Sequence, residues 1–464
     1  MKPLPLSRIA QWAGGRLDGD DVLIDAIATD TRTLDASDGH AALFVALKGE
    51  HFDGHDHVAA AAKAGARAAL VSRELDIALP QVVVADTERA LAAFAAALQH
   101  TRTSKVIAIT GSNGKTSVKT LLLSILQQAA AVEGRTAYAN PGNRNNEIGL
   151  PLAVLDAPED AQFAIYEMGA GKPGDIVTLT AIARPDVALV NNIAPAHLER
   201  MGSLLGIADT KAAIYDALPS GGVAVINADD AFAPYFAERA HGRRLIRFGL
   251  ESSADITARE ITHDVKGSRF VLVTSSGEAE IALALPGRHN VLNALAAAAL
   301  ALGAGASLDT IRDGLDAVRA VAGRLVTHRL PNGAVLIDDS YNANPGSLNA
   351  AIDMLAAAGG ENWLVLGDMR ELGADAEALH AEAGRRAKAA GIARLFALGP
   401  LSAATATAFG AGAEHFDSHV ALADALRAAL KPDVRVLIKG SRGSAMDRIV
   451  TALLPAGGGD AHAA

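Results

Sequence analysis

The segment Val106–Ser117, VIAITGSNGKTS, constrains this chain more than any other. Residues rich in β-branched side chains run straight into a glycine turn, and Lys115 and Thr116 follow. A strand, a tight turn and a helix starting near Lys115 bring several backbone N–H groups to one point. Partial positive charge and unpaired donors collect there, and an anion fits. Lys115 adds a full charge for outer phosphates, and Thr116 offers a hydroxyl to Mg²⁺. The complete P-loop pattern has a glycine at the position where Ile109 stands, so the match is to Gly-Lys-Thr and its strand–helix context. The competing reading is an ordinary strand–helix turn with a chance lysine.

This signal comes only after about a hundred residues of something else, and the chain is long enough for that. At 464 residues it exceeds one ordinary core, which predicts two or three domains. Half the residues are hydrophobic (50%) and 20% are charged, as in a folded protein rather than a disordered one. The formal net charge of -10, without basic blocks, argues against nucleic acid and anionic membranes as partners. Any phosphate must be held by a local site. With no cysteine, disulfides, thiolate metal sites and cysteine nucleophiles are excluded. MKPLPLSRIA lacks the apolar core of a signal peptide, and no stretch reaches ~18 uncharged apolar residues. No membrane span and a cytoplasmic location are the expectation. LNALAAAAL (292–300) reads as a buried helix.

The pattern divides the chain into three α/β domains. Over 1–102, ALFVAL and QVVVAD read as strands, HVAAAAKAGA and ERALAAFAAALQ as helices, and HTRTS as a linker. Over 103–322, FAIYEM, VALVNNI and VAVINAD are apolar runs of strand length, suited to a parallel sheet buried on both faces. RFVLVTSSGEAEIALALP interrupts them as a hairpin around SSGE. Over 323–464, AVLIDDS, NWLVLGDM, ARLFALG and VRVLIKGS alternate with alanine-rich helices, which predicts a Rossmann-like, doubly wound domain. The tail PAGGGDAHAA is expected to be disordered.

Further candidates stand at strand ends. Glu167 closes FAIYEM ahead of GAGKPGD, where an α/β site puts a metal ligand or base; a solvated strand-end acid is the alternative. His197 follows VALVNNI, and a neutral imidazole there could ligate a metal or simply satisfy a loop. Lys211 lies on a probable helix, where residue type alone predicts a solvated charge. His51, His55 and His57 fit no structural zinc spacing and read as a loop entering a helix.

TGSNGKTS, EMGA, APAHLERMGS followed by Lys211, GGVAVINADD and PGRHNVLNALAAAAL occur here in the order of the Mur ligases, the ATP-dependent amide-forming enzymes of peptidoglycan synthesis, and the chain resembles that family over essentially its whole length. TDTR (29–32), NPGNRNNEIGLP, DDSYNANPGSLNAAI, VLGDMRELG and LIKGSRGSAMD are similar to the branch that adds D-alanyl-D-alanine to UDP-N-acetylmuramoyl-tripeptide. A third-residue-adding Mur ligase resembles the N-terminal part but often carries a DNPR segment, and none occurs here. A folylpolyglutamate synthetase and a non-catalytic nucleotide-binding scaffold are the more distant alternatives.

The resemblance implies a small N-terminal domain that grips the UDP end of a long substrate through Asp30, Thr31 and Arg32; Asn145 and Asn146 would also meet that substrate, with amides suited to sugar or peptide hydrogen bonds, although an Asn/Gly loop needs no ligand. It implies a central P-loop-type domain that binds ATP through Gly111, Ser112, Asn113, Gly114, Lys115, Thr116, Ser117, Asn290, Arg324 and Asp339. Two Mg²⁺ ions would be held by Thr116, Glu167, His197 and a carbamylated Lys211; the family often has a glutamate two places after that lysine, where this chain has alanine. Lys115, Glu167, His197, Lys211 and Arg324 would be catalytic, and Tyr341, Asn342 and Asn344 would meet the dipeptide. Asn290 could instead be a helix N-cap, and Arg324 an interdomain salt bridge. A monomer is expected.

Overall fold

The computed structural model describes residues 1–455 except 36, 38, 50, 51, 196, 197, 265, 266 and 320–322. The tail beyond 455 lies outside the described residues. Three α/β units follow one another, so the predicted fold class holds.

The central unit carries a six-stranded sheet in the order 244–248, 223–227, 187–190, 105–110, 163–167, 137–139, and every pairing is parallel. Parallel strands need helical crossovers, and those helices cover both faces. This is why the strands read as unbroken apolar runs. Within the strand Lys105–Thr110, Ile107 and Ile109 pack with the helices Lys115–Val132 and Arg288–Ala304, while Val106 and Ala108 face the opposite cluster. LNALAAAAL lies within Arg288–Ala304, and residues 294–301 of that helix are fully buried. The hairpin is present as Gly267–Thr274 and Gly277–Leu283. A third strand, Thr257–Asp264, adds to its edge. The sequence pattern had not signalled it: the run is polar, and a register shift between Arg259 and Thr262 breaks its alternation.

The N-terminal unit has a five-stranded mixed sheet. Its helices Leu6–Ala13 and Thr87–Gln99 share one core cluster with the central unit's Leu150, Tyr166 and Tyr215. The C-terminal unit has a second six-stranded sheet, ordered 326–329, 335–339, 435–439, 362–367, 394–398, 413–416, parallel except for its antiparallel first strand. In open sheets of this kind ligands bind beyond the carboxyl ends of the strands. Here the carboxyl ends of both large sheets open onto one shared cavity, lined by Gly111 and Glu167 from one and by Tyr341 and Lys439 from the other. Among the described residues no helix is long and apolar enough to cross a membrane.

Candidate active site

The turn after Thr110 depends on two glycines. Gly111 and Gly114 have φ of 145° and 78°, and a Cβ on Gly114 would sit 2.5 Å from Asn191 Nδ2 and from Asn293 Oδ1. Only glycine lets the turn pass so close. The helix Lys115–Val132 begins at once, with Gly114 as its N-cap and no side-chain cap. The peptide of Asn113 is clamped: its N–H donates to Asn192 Oδ1 (2.8 Å), and its C=O accepts from Asn191 Nδ2 (2.9 Å) and Asn192 Nδ2 (3.2 Å). Lys115 Nζ donates back to Gly111 O at 2.7 Å. Burial pushes its pKa down, with Glu167 opposing and Arg324 adding to the shift.

Glu167 is buried at the end of its strand. Its carboxylate accepts from Thr116 Oγ1 (3.0 Å) and Asn145 Nδ2 (2.9 Å), and Lys119 Nζ lies 3.3 Å away. Burial pushes this acid up, but Lys119, Lys115 and the two hydrogen bonds outweigh it, so it is held below the usual carboxylate range. Thr116 Oγ1 also accepts from Arg324 Nη2 at 3.0 Å, and the Arg324 guanidinium lies 4.3 Å from the centre of the Tyr341 ring. One threonine hydroxyl thus joins the glycine turn, the buried acid and a cation at the start of the C-terminal unit.

Lys211, on the helix Leu204–Asp216, is 2% exposed, against the expectation from residue type alone. Burial drives its pKa well below that of an ordinary lysine, Lys115 adds to the shift and Asp175 opposes it. It lines a cavity of about 720 Å³ together with Lys115, Thr116, Glu167, Asn145, Asn146, Arg324, Tyr341, Asn342 and Asn344. The structure thus brings most of the candidate residues together. His197 lies outside the described residues.

A second cavity of about 270 Å³ opens on the other side of Gly114, between the central and C-terminal units. Leu285, Leu292, Val318 and Ala350 make it apolar, with Asn290, Asn293 and Asp339 as polar points. Asn290 is not the N-cap of its helix, which is Gly287; its Nδ2 donates to Pro286 O at 2.8 Å. His289 is pushed down to about 4 by burial, with Lys439 adding to the shift. Asp339 is paired with Lys439 Nζ at 2.6 Å; burial pushes its pKa up against that lysine, and the net shift is upward.

The N-terminal candidates stand apart. Asp30 accepts from the Arg32 N–H at the head of the short 3-10 helix Thr31–Thr33, and the Arg32 guanidinium, 87% exposed, pairs with it at 2.5 Å. Arg32 holds the Asp30 carboxyl down at about 2. Neither residue lines either cavity, whereas Asn145 and Asn146 line the large one beside Glu167. His55 is buried, with Nδ1 2.5 Å from Asp53 Oδ1 and Nε2 accepting from the Ser72 N–H at 2.8 Å, a satisfied structural imidazole; His51 lies outside the described residues. Among the described residues no group of three or more His, Asp or Glu side chains is placed to hold a metal alone.

Sequence reasoning missed Lys119. It is 7% exposed on its side chain and donates to Asn140 O (2.8 Å) and Gly142 O (2.9 Å), which ties the Asn140–Asn146 loop to Glu167. A signal was present: it follows Lys115 by one helical turn on an otherwise apolar helix face. Lys439, at a strand end, was quoted only as part of a motif.

A glycine turn at a helix N-terminus, an ionised buried acid and cations from two α/β units meet here, an arrangement able to hold a nucleotide's phosphates. Three family profiles match in succession: "Mur ligase family, catalytic domain" over 5–112, "Mur ligase middle domain" over 109–301 and "Mur ligase, glutamate ligase domain" over 323–442. The chain is 44% identical to the UDP-N-acetylmuramoyl-tripeptide--D-alanyl-D-alanine ligase of Escherichia coli strain K12, over 98% of this chain and 99% of that one. Its fold is similar to the crystal structure of MurF from Acinetobacter baumannii, with a TM-score of 0.90, 32% identity and coverage of 98% and 99% of the two chains. It is also similar to MurF of Thermotoga maritima in complex with ADP, with a TM-score of 0.82, 26% identity and coverage of 93% and 97%. The chain belongs to the Mur ligase family.

Proposed function

We propose that this chain joins D-alanyl-D-alanine to UDP-N-acetylmuramoyl-tripeptide at the expense of ATP. The observation that carries the chemistry is the Thr116 hydroxyl, shared between Glu167 at 3.0 Å and Arg324 at 3.0 Å at the mouth of the glycine turn. It gathers phosphate-binding, metal-binding and charge-neutralising groups from two units at one point. The similarity to the ligases named above selects the substrates.

A carboxylate does not condense with an amine in water without activation. The tripeptide's terminal carboxylate oxygen attacks the γ-phosphorus, the bond to the bridging oxygen breaks, and ADP leaves. The dipeptide amine then attacks the acyl carbon, phosphate departs with the bonding pair, and the amine gives up a proton. The first step drives an anion against a triphosphate, so positioning and cations do most of the work. Lys115 and the turn from Gly111 to Ser117 hold the phosphates; Arg324 neutralises the γ-phosphoryl group; Asn290 meets the adenine; Asp339, held by Lys439, organises the ribose side. Thr116 and Glu167 fit a Mg²⁺ ion that is completed by phosphate oxygens and water, since that ion takes few protein carboxylates. Mg²⁺ supplies charge neutralisation to the transferring phosphoryl group. A second ion would rest on His197 and on Lys211 as a carbamate, and the enclosed, readily deprotonated amine of Lys211 supports that modification.

In this reading residues 1–102 grip the UDP end through Asp30, Thr31 and Arg32, 103–322 bind ATP, and 323–464 bring Tyr341 and Asn342 to the dipeptide, with Asn344 supporting that site. Asn145 and Asn146 receive the peptide end of the nucleotide substrate, consistent with their position beside Glu167. In this reading the enzyme acts in the cytoplasm, where ATP is supplied, and as a monomer. Tripeptide substrate labelled with ¹⁸O in its terminal carboxyl tests the chemistry. One ¹⁸O should appear in the released phosphate; phosphate free of label would reject the acyl-phosphate route.

A further inference from the structure

Asn344 has an assignment that its geometry narrows. It caps the helix Pro345–Ala357: its Oδ1 accepts from the Ser347 N–H at 2.9 Å, and Ser347 Oγ accepts from the Asn344 N–H at 3.1 Å. That capping box fixes the amide's orientation, because the oxygen is committed to the helix. The nitrogen must face away, and it donates to Asn113 Oδ1 at 2.5 Å. Asn113 belongs to the phosphate turn of the central unit, and its own peptide is clamped by Asn191 and Asn192. Both halves of the pair are therefore oriented before they meet. A second feature supports the contact. A Cβ on Gly346 would sit 3.2 Å from Asn113 Nδ2, close enough that the Asn113 side chain would have to give by a few tenths of an ångström, so the two units meet closely here.

We propose that Asn344 is a positioning residue whose amide latches the C-terminal unit onto the phosphate turn through Asn113. This latch, rather than contact with the dipeptide, is how Asn344 serves the dipeptide site. The inference rests on the ligase reading above for its kinetic test.

The test is a double-mutant cycle. Asn344→Ser keeps a good N-cap while removing the reaching amide, and Asn113→Ala removes its partner. Initial rates are measured against D-alanyl-D-alanine with ATP and UDP-muramoyl-tripeptide saturating. Each single variant should raise the dipeptide KM about threefold to tenfold, the range for one neutral hydrogen bond. The double variant should cost no more than either single, because both remove the same contact. Gly346→Ala, which helix propensity alone would favour, should raise the KM in the native background and not in Asn113→Ala. A further severalfold loss from Asn344→Ser in the Asn113→Ala background would show that Asn344 touches the dipeptide, and would overturn the latch. An unchanged KM in all variants would do the same. Small-angle scattering with a non-hydrolysable ATP analogue and UDP-muramoyl-tripeptide separates the two readings. If native enzyme forms no dipeptide product, the ligase reading fails on its own. The latch then stands if both single variants are less compact than native protein, and falls if they compact equally.

Discussion

The central turn and the Asp30–Arg32 surface are both charged sites proposed to hold phosphates, yet they are built differently. At the turn the charges are enclosed: Glu167 is buried, Lys119 and Lys211 are almost fully covered, and burial is the largest influence on each, modified by neighbouring charges. At residues 30–32 the carboxylate and guanidinium satisfy each other in solvent. Burying a charge is costly unless the fold supplies partners, so enclosed charges mark where the protein has committed structure to a reaction. An exposed pair carries no such commitment, because surface ion pairs form with little consequence. The role of the turn therefore rests on geometry, and that of Arg32 on resemblance and on what substitution will show.

The largest effect should come from Lys211. Lys211→Ala should lower kcat by about 100-fold to 1,000-fold, the scale for losing a fixed charged group at a reacting centre, while ATP binding, held by Lys115 and the turn, persists. Short carboxylic acids should restore part of the rate by placing an anion where a carbamate stood. Lys211→Arg should stay inactive, since its charge repels a metal. An active Lys211→Arg enzyme would return this lysine to the status of an ordinary cation and dissolve the contrast.

The next effect is on stability. His289 has its pKa pushed down from 6.5 to about 4. Between those values the unfolded chain takes up a proton that the native chain refuses. Its contribution is therefore complete above pH 6.5, is lost as pH falls, and levels off below about pH 4, with at most about 3 kcal/mol at stake. Denaturant unfolding at a series of pH values should show this limb, and His289→Gln should flatten it. An unchanged slope would mean that the imidazole is not enclosed as described.

The smallest effect sharpens the other side of the comparison. Arg32→Ala should raise the KM for the UDP-linked substrate about tenfold while leaving that for ATP nearly unchanged, the mark of uniform binding lost on one substrate. Equal weakening of ATP would move Arg32 out of the nucleotide-substrate site.

How much of this was legible in the chain follows the same division. Lys105–Thr110 and Phe163–Glu167 could be read as buried strands because apolar continuity is a local signal, and the helix start at Lys115 follows from Gly114 immediately before it. Lys211 could not be read as buried from its own helix. Its enclosure comes from packing against the helix Asp175–Ala183 and its neighbours, contacts that the sequence does not place side by side. Lys119 was hidden because a lysine on a helix is ordinarily solvated, and only the loop from Asn140 to Gly142 gives it acceptors. The strand Thr257–Asp264 escaped because it is an edge strand with a broken alternation. Asn145 could be read from its loop only as an amide suited to sugar or peptide hydrogen bonds; its bond to Glu167 depends on how that loop folds back.

The most direct test of the account is the rate of phosphate release from Mg·ATP in four mixtures: enzyme alone, with UDP-muramoyl-tripeptide, with D-alanyl-D-alanine, and with both. Sustained turnover should need both substrates and Mg²⁺, and should yield one UDP-muramoyl-pentapeptide per phosphate. Rapid phosphate release with Mg·ATP alone, or turnover indifferent to the dipeptide, would contradict it.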